Sequence, residues 1–167
     1  MHVQVPLALD TDAISAGRML ADPVYVRAKV AASGSEVLHV DVTPGENGAF
    51  TVTTRRSLPS ELIPPQARAF IGDRLEVRQA EAWEAPGPDG GRRGTVAVEI
   101  TGAPVRLTGT VALIPGDGTS QVVYDGDLKA TVPLFGAMVE EAAVKAVRSA
   151  LEAEEAVARE YVRTSED

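Results

Sequence analysis

The chain has 167 residues, 44% of them hydrophobic and 24% charged, and its 24 acidic against 16 basic residues leave a formal charge of −8. That profile is expected of one globular domain over residues 1–167, long enough to bury a core without staples. The absence of cysteine excludes a disulfide framework, thiolate metal sites and cysteine nucleophiles, and fits a cytoplasmic location. The negative balance repels phosphate backbones, so nucleic acid is not an expected partner. No basic-then-apolar leader opens the chain, and no run approaches the about 20 apolar residues of a membrane span, so stable membrane insertion is not expected either.

Val3, Val5, Leu7 and Leu9 alternate with polar or small residues, the period of a half-buried strand. Asp10-Thr11-Asp12 then offers a helix cap, "AISAGRMLAD" predicts a short helix ending before Pro23, and "PVYVRAKVAAS" predicts a second, with Pro23 in its first turn. Beyond Gly34 the pattern changes to period two. "SEVLHVDVT" puts Leu38, Val40 and Val42 on one face and His39 on the solvent side. "AFTVTTRRSL" puts Phe50, Val52, Thr54, Arg56 and Leu58 together. "PSELIPPQARAFIGD" breaks the sheet with Pro59, Pro64, Pro65 and Gly72, which predicts a loop and a short helix.

"RLEVRQAEAWEA" places Leu75, Val77, Gln79, Glu81 and Trp83 on one side of the next strand. "PGPDGG" reads as a mobile hairpin loop with nothing in it to bury. Val96, Val98 and Ile100 face inward next, then Val105, Leu107, Val111 and Leu113, and, after the turn "DGTS", Val122, Tyr124, Leu128, Ala130 and Val132. One strand, two short helices, about six antiparallel strands and one long helix make an α+β chain.

Winding residues 135–161 at the helical period puts Phe135, Val139, Ala142, Ala143, Ala146, Ala150, Ala153, Val157 and Tyr161 on one stripe, opposite Glu141, Lys145, Arg148, Glu152, Glu155 and Arg159. A helix of about 28 residues is about 42 Å long, whereas seven strands span only about 29 Å edge to edge. A curved sheet is therefore needed to wrap it. The small side chains have three readings: close packing against the sheet, an elongated apolar cavity, or a heptad seam for a partner helix, for which alanine knobs are weak. Monomer or weak homodimer is the corresponding expectation. Periodicity alone does not separate the first two.

This order of elements resembles the helix-grip fold of the START or Bet v 1-like (SRPBCC) superfamily, a curved antiparallel sheet wrapped around a long C-terminal helix. More closely, the chain resembles an actinobacterial family catalogued as domain of unknown function 2505. The resemblance is carried by residues 57–83, 102–119 and 128–157, including Phe70, Gly72-Asp73 and Trp83, and the joint Val132, Pro133, Leu134, Gly136 and Glu140. It implies a cavity between helix and sheet, often for hydrophobic ligands, and brings no assigned activity. Arg92-Arg93 and Pro64-Pro65 look like local variation at the rim of such a cavity.

No nucleophile elbow is present, two histidines make no convincing metal site, and "PGPDGGRRG" lacks the lysine and the following helix of a phosphate loop. No catalytic residue, metal or cofactor is expected. The notable polar residues lie on inward faces. Arg56, Gln79 and Glu81, with Tyr124, either project into one cavity and orient the polar end of a ligand, or lie near strand ends or beyond a bulge and are solvated. The second placement is the blander expectation. Trp83 is expected to pack in the core or at the rim. The cavity candidates are therefore Arg56, Gln79, Glu81, Trp83, Tyr124, Val139, Ala143, Ala146 and Ala150, and the expected guest is an apolar small molecule or lipid bound without catalysis. Two alternatives are a cyclase- or aromatase-like enzyme acting on a polyketide-type substrate, with Glu81, Arg56 or Tyr124 shuttling protons, and an interaction domain without a ligand.

Overall fold

The computed structural model describes residues 1–59, 61, 63–71 and 75–166. The first strand, β1 (His2–Leu9), alternates exposed and buried residues along its whole length. Asp12 then accepts the Ser15 N–H at 2.9 Å and starts α1 (Ala13–Leu20). Asp22 caps α2 (Pro23–Ala32) by accepting the Val24 N–H at 2.9 Å, with Pro23 at the first helical position. Six strands follow: β2 (Val37–Pro44), β3 (Phe50–Leu58), β4 (Leu75–Trp83), β5 (Arg92–Thr101), β6 (Val105–Pro115) and β7 (Ser120–Ala130), before α3 (Gly136–Ser165). The sheet order is β1-β7-β6-β5-β4-β3-β2, antiparallel throughout, so each strand from β2 to β7 lies beside its sequence neighbours. Between β3 and β4 the chain makes a short 3-10 helix at Pro65–Phe70. Gly72 and Asp73 lie outside the described residues.

Two expectations change. Leu38 is 45% exposed, because the register shifts between Val37 and His39 and the bulge turns Leu38 away from Val40 and Val42. The 86–91 hairpin is not free of buried residues. Gly90 is buried, and a Cβ there would stand 2.8 Å from the Ile14 side chain, so the loop lies against the start of α1.

The inward side chains of the strands form one core with α1 and α2, including Leu7, Met19, Tyr25, Val26, Val111, Leu113, Val122 and Leu128. The sheet is bent across β6 and β7, where Gly109 faces Gly126. A Cβ on Gly109 would come within 2.1 Å of the Asp125 carbonyl oxygen and 2.5 Å of the Gly126 Cα. Only hydrogen fits on the concave side at this point, and that lets the two backbones close up.

The chain leaves β7 through Val132-Pro133-Leu134. Leu134 takes a φ of 67° with its side chain 95% exposed, an unusual conformation that redirects the chain into α3. Glu140, in the first turn region of α3, accepts the Ala130 N–H at 3.1 Å and ties the helix to the end of β7. At its other end Tyr161 donates to Asp22 at 2.5 Å, and its ring meets Tyr25 edge-on with centroids 5.7 Å apart. The main packing partners of α3 are thus α2, β1 and β7. Against β3, β4 and β5 the helix packs little.

Gly109→Ala should lower stability by about 1–3 kcal/mol through enforced overpacking of backbone. Chemical denaturation measures this directly, and an unchanged midpoint would show that the strand contact is not tight.

Candidate functional site

The side of α3 that is deeply buried is not the stripe of alanines. Val139, Leu151, Glu154 and Ala158 are its buried residues, whereas Ala142, Ala143, Ala146, Ala150 and Ala153 are half-buried. The helix is rotated so that its larger groups meet α2, β1 and β7, and the alanines look across a gap toward the rest of the sheet. The gap has two adjoining lobes.

The first lobe, about 80 Å³, is a polar chamber lined by Lys29, Thr54, Arg56, Gln79, Glu81, Tyr124 and Glu154 among aliphatic residues of β1, β3, β5 and β6. Glu81 is 2% exposed. One of its oxygens accepts from Gln79 Nε2 at 2.8 Å and from the Tyr124 hydroxyl at 3.1 Å, and the other accepts from Trp83 Nε1 at 3.1 Å. Across the chamber Glu154 accepts from Lys29 Nζ at 3.1 Å and from the Tyr25 hydroxyl at 3.2 Å. Every hydrogen-bonding group around these two carboxylates is therefore a donor aimed at an acceptor, the condition for burying them. Burial would depress the Lys29 ammonium, but Glu154, helped by Glu81, outweighs it and holds Lys29 above its ordinary value. Burial, reinforced by the neighbouring carboxylates, pushes the Tyr25 and Tyr124 phenols well above theirs.

The second lobe, about 120 Å³, is apolar. Ala142, Ala143, Ala146, Val139 and Ala150 form its helical wall, Ile63, Ile71, Leu75, Val77, Ile100, Leu107 and Leu128 its opposite side. Arg56 and Ala150 belong to both lobes. Burial holds the Arg56 guanidinium below its ordinary value in spite of Glu154 and Glu81. Among the described residues Arg56 makes no ion pair within 4 Å and donates no side-chain hydrogen bond.

Of the residues predicted from sequence, the structure gathers Arg56, Gln79, Glu81 and Tyr124 at the first lobe and Val139, Ala143 and Ala146 at the second, with Ala150 between. Glu81 and Tyr124 are buried, whereas Gln79 and Arg56 are half-buried, Arg56 two residues from the end of β3 and beside the β2 bulge. Trp83 lines neither lobe. It is buried, stacked on Phe50 with centroids 6.1 Å apart, and serves Glu81 as a donor. Arg92 also lies away from both lobes, donating to the Gly48 and Glu84 carbonyls and lying 5.2 Å over Phe50. Pro64, in contrast, does line the apolar lobe.

Sequence reasoning missed Lys29, Tyr25 and Glu154. A signal existed for Glu154: Val147, Leu151, Glu154, Ala158 and Tyr161 step by four, three, four and three, so a carboxylate stands in an otherwise apolar helical row. Lys29 stands one turn after Tyr25 on α2. Nothing local marks it as inward, since lysine at such a position is usually solvated.

The profile of a family described as a protein of unknown function (DUF2505) matches residues 4–162. The chain belongs to this family. An uncharacterised protein of Mycobacterium tuberculosis (strain H37Rv) is 29% identical over 107 residues, 63% of this chain and 61% of that protein. The match therefore spans less than two thirds of the relative's length. Among solved structures, human STARD10 aligns at a TM-score of 0.63 with 11% identity, over 99% of this chain and 66% of that one. A START superfamily protein from Mycobacterium smegmatis aligns at 0.55 with 13% identity, over 93% and 94%. The Zhui aromatase/cyclase from a Streptomyces species aligns at 0.55 with 14% identity, over 95% and 93%. At these identities the likeness is one of fold: this DUF2505 protein carries the helix-grip architecture. No helix among its described residues is long and apolar enough to cross a membrane.

Two measurements probe the polar chamber of this DUF2505 protein. Glu154→Gln strands Lys29 in the interior and should cost about 3–5 kcal/mol, whereas Lys29→Met combined with Glu154→Met should recover most of that loss. A single variant as stable as the parent chain would contradict the burial of the pair.

The second measurement is pH dependence. Lys29, Tyr25 and Tyr124 are all held protonated by the fold, above ordinary values of 10.5 for lysine and 10.0 for tyrosine. Their contribution is complete below pH 10.0 and is lost as the unfolded chain, but not the folded one, releases protons above it. Unfolding free energies between about pH 8 and pH 11 should fall at the alkaline end, less steeply in Tyr124→Phe. Equal slopes would mean that Tyr124 is not perturbed.

Proposed function

We propose that this protein binds an apolar small molecule between its sheet and α3 without transforming it, as a carrier or sensor in the cytoplasm. The observation that carries the reading is the apolar lobe walled by Ala142, Ala143, Ala146 and Ala150. Close packing in protein interiors normally fills such space with side chains, and here four of the helix positions that line the lobe hold only methyl groups. The helix-grip superfamily commonly houses hydrophobic ligands in this place, which supports the reading by analogy of fold. At about 80 and 120 Å³ the two lobes are small beside the about 300–1,000 Å³ of drug-sized pockets. A compact guest suits them better than a two-chain lipid, which would require α3 to move.

The enzymatic alternative has one observation in its favour: the Tyr124 hydroxyl and Glu81 are 3.1 Å apart inside the chamber. Tyr124, raised by burial, is a proton donor at neutral pH and not a base. Glu81 has both oxygens occupied by three donors from its own walls. The pair is thus arranged to stay as it is, and binding without turnover remains the better account.

Ala146→Leu places a branched side chain in the apolar lobe. It should abolish the uptake of apolar ligand while leaving thermal stability equal or higher, because it fills space already empty. Native mass spectrometry of the freshly purified parent and variant, before and after exposure to a panel of fatty acids, sterols and polyketides, reads the outcome. Undiminished uptake by the variant, or none by the parent across the panel, would defeat the proposal.

A further inference from the structure

We infer that the guest is an uncharged molecule bearing one oxygen acceptor, such as a ketone, ester or amide carbonyl, which Arg56 receives at the junction of the two lobes while a short apolar tail occupies the alanine-walled lobe. This rests on the reading of the hollow as a ligand site, and three observations carry it further.

The first is availability. Lys29 is engaged by Glu154 at 3.1 Å, and Glu81 is supplied by Gln79, Trp83 and Tyr124, whereas Arg56 has no hydrogen-bond acceptor among the described residues. A guanidinium has five N–H donors in a fixed fork. Arg56 is half-buried, and with no acceptor among the described residues its donors are open to an acceptor oxygen of a guest, which gains a charge-assisted hydrogen bond there. Arg56 sits on β3 opposite Val77 of β4 and Val37 of β2, and belongs to the lining of both lobes. Its head is therefore where a guest extending through both would present a polar group.

The second is charge. The chamber wall already contains two cations, Lys29 and Arg56, and two buried carboxylates, Glu81 and Glu154, so its charges sum to zero, while the Asp125 carboxylate points outward to Gln4 and His2. Both Glu154 and Glu81 act on Arg56. A ligand carboxylate at Arg56 would leave three carboxylates against two cations, a net negative charge in surroundings where unbalanced charge is expensive. A neutral acceptor takes the same donors without that penalty.

The third is size. A dry cavity of about 150 Å³ holds a benzene-sized guest, so the 120 Å³ lobe accepts most of a tail of about five or six carbons, with the remainder at the junction.

A matched set tests this on the full chain: 2-octanone, n-octane and octanoate, with affinities measured by NMR titration. The ketone should bind roughly tenfold or more tightly than octane, the scale of one hydrogen bond to a charged group, and more tightly than octanoate. Arg56→Met should bring the ketone down to the level of octane and leave octane unchanged. An infrared readout on the parent protein keeps the test sound if that variant does not fold: the carbonyl stretch of bound 2-octanone should fall below its value in hexane. Octane binding as well as the ketone, or an unshifted stretch, overturns the role of Arg56 alone. Tighter octanoate overturns the charge argument. Failure of all three to bind removes the ligand site itself, and this inference with it.

Discussion

Glu154 is the carboxylate by which α3 is held to α2, with the Lys29 ammonium and the Tyr25 hydroxyl converging on the same oxygen at 3.1 and 3.2 Å. All three residues are buried, so sliding or rolling the helix would leave both ions without a partner and away from water, at several kcal/mol per ion. That cost gives the helix a defined rotation as well as a defined place. Together with Glu140 on the end of β7 and Tyr161 on Asp22, it fixes α3 at three points along its length. With the helix parked over β1, β7 and α2, its alanines are left facing strands that it does not reach.

The gap then persists because neither side can close it. On the sheet side, the bend across Gly109 and Gly126 is set by backbone contact, which leaves little freedom for β3 to β5 to flatten toward the helix. On the helix side, methyl groups are too short to span the distance. At about 24 cal/mol per Å³, an empty lobe of 120 Å³ costs about 3 kcal/mol, a substantial part of the about 5–15 kcal/mol that keeps a domain folded. One leucine among the alanines would recover much of it. Space this costly and this easily filled is not explained by the requirements of folding.

Nearly all of the architecture was legible because it rests on short-range patterns. Alternation in β1 and β3 to β7, Asp12 and Asp22 as caps, Pro23 at a helix start and glycine-rich hairpins each act through the local backbone, and each appears where the sequence put it. The likeness of the β7–α3 joint to the DUF2505 pattern also has a physical content, since Leu134 makes the turn and Glu140 fastens it. What the sequence concealed was relational. Leu38 followed the alternation until a bulge reversed it. The orientation of α3 was misjudged because the alanine stripe is the more apolar-looking row, while the row that packs contains Glu154, whose inward position depends on a lysine more than a hundred residues earlier. Arg56 and Glu81 stand out in the sequence because they interrupt inward strand faces, where alternation is strict. Whether they met or merely reached solvent depended on curvature, which no local pattern states.

The polar chamber bears on what such a fold can discriminate. Three buried charges and a half-buried fourth are not a gain in stability. Replacing a paired set by well-packed aliphatic residues is commonly neutral or stabilising, and the same chamber lined with valine and leucine would serve the core at least as well. An entirely aliphatic hollow, however, distinguishes guests only by size, and one methylene more or less is worth about 1–3 kcal/mol. A wall bearing a hydrogen-bonding group rejects a guest that leaves it unsatisfied far more strongly. Three of the four charges here are occupied by the protein's own side chains, and they hold their places by mutual satisfaction. The fourth stands where the polar and apolar lobes meet. The stability given up in burying the set is thus converted into a wall of fixed polarity, against which molecules of equal size and oiliness are no longer equivalent.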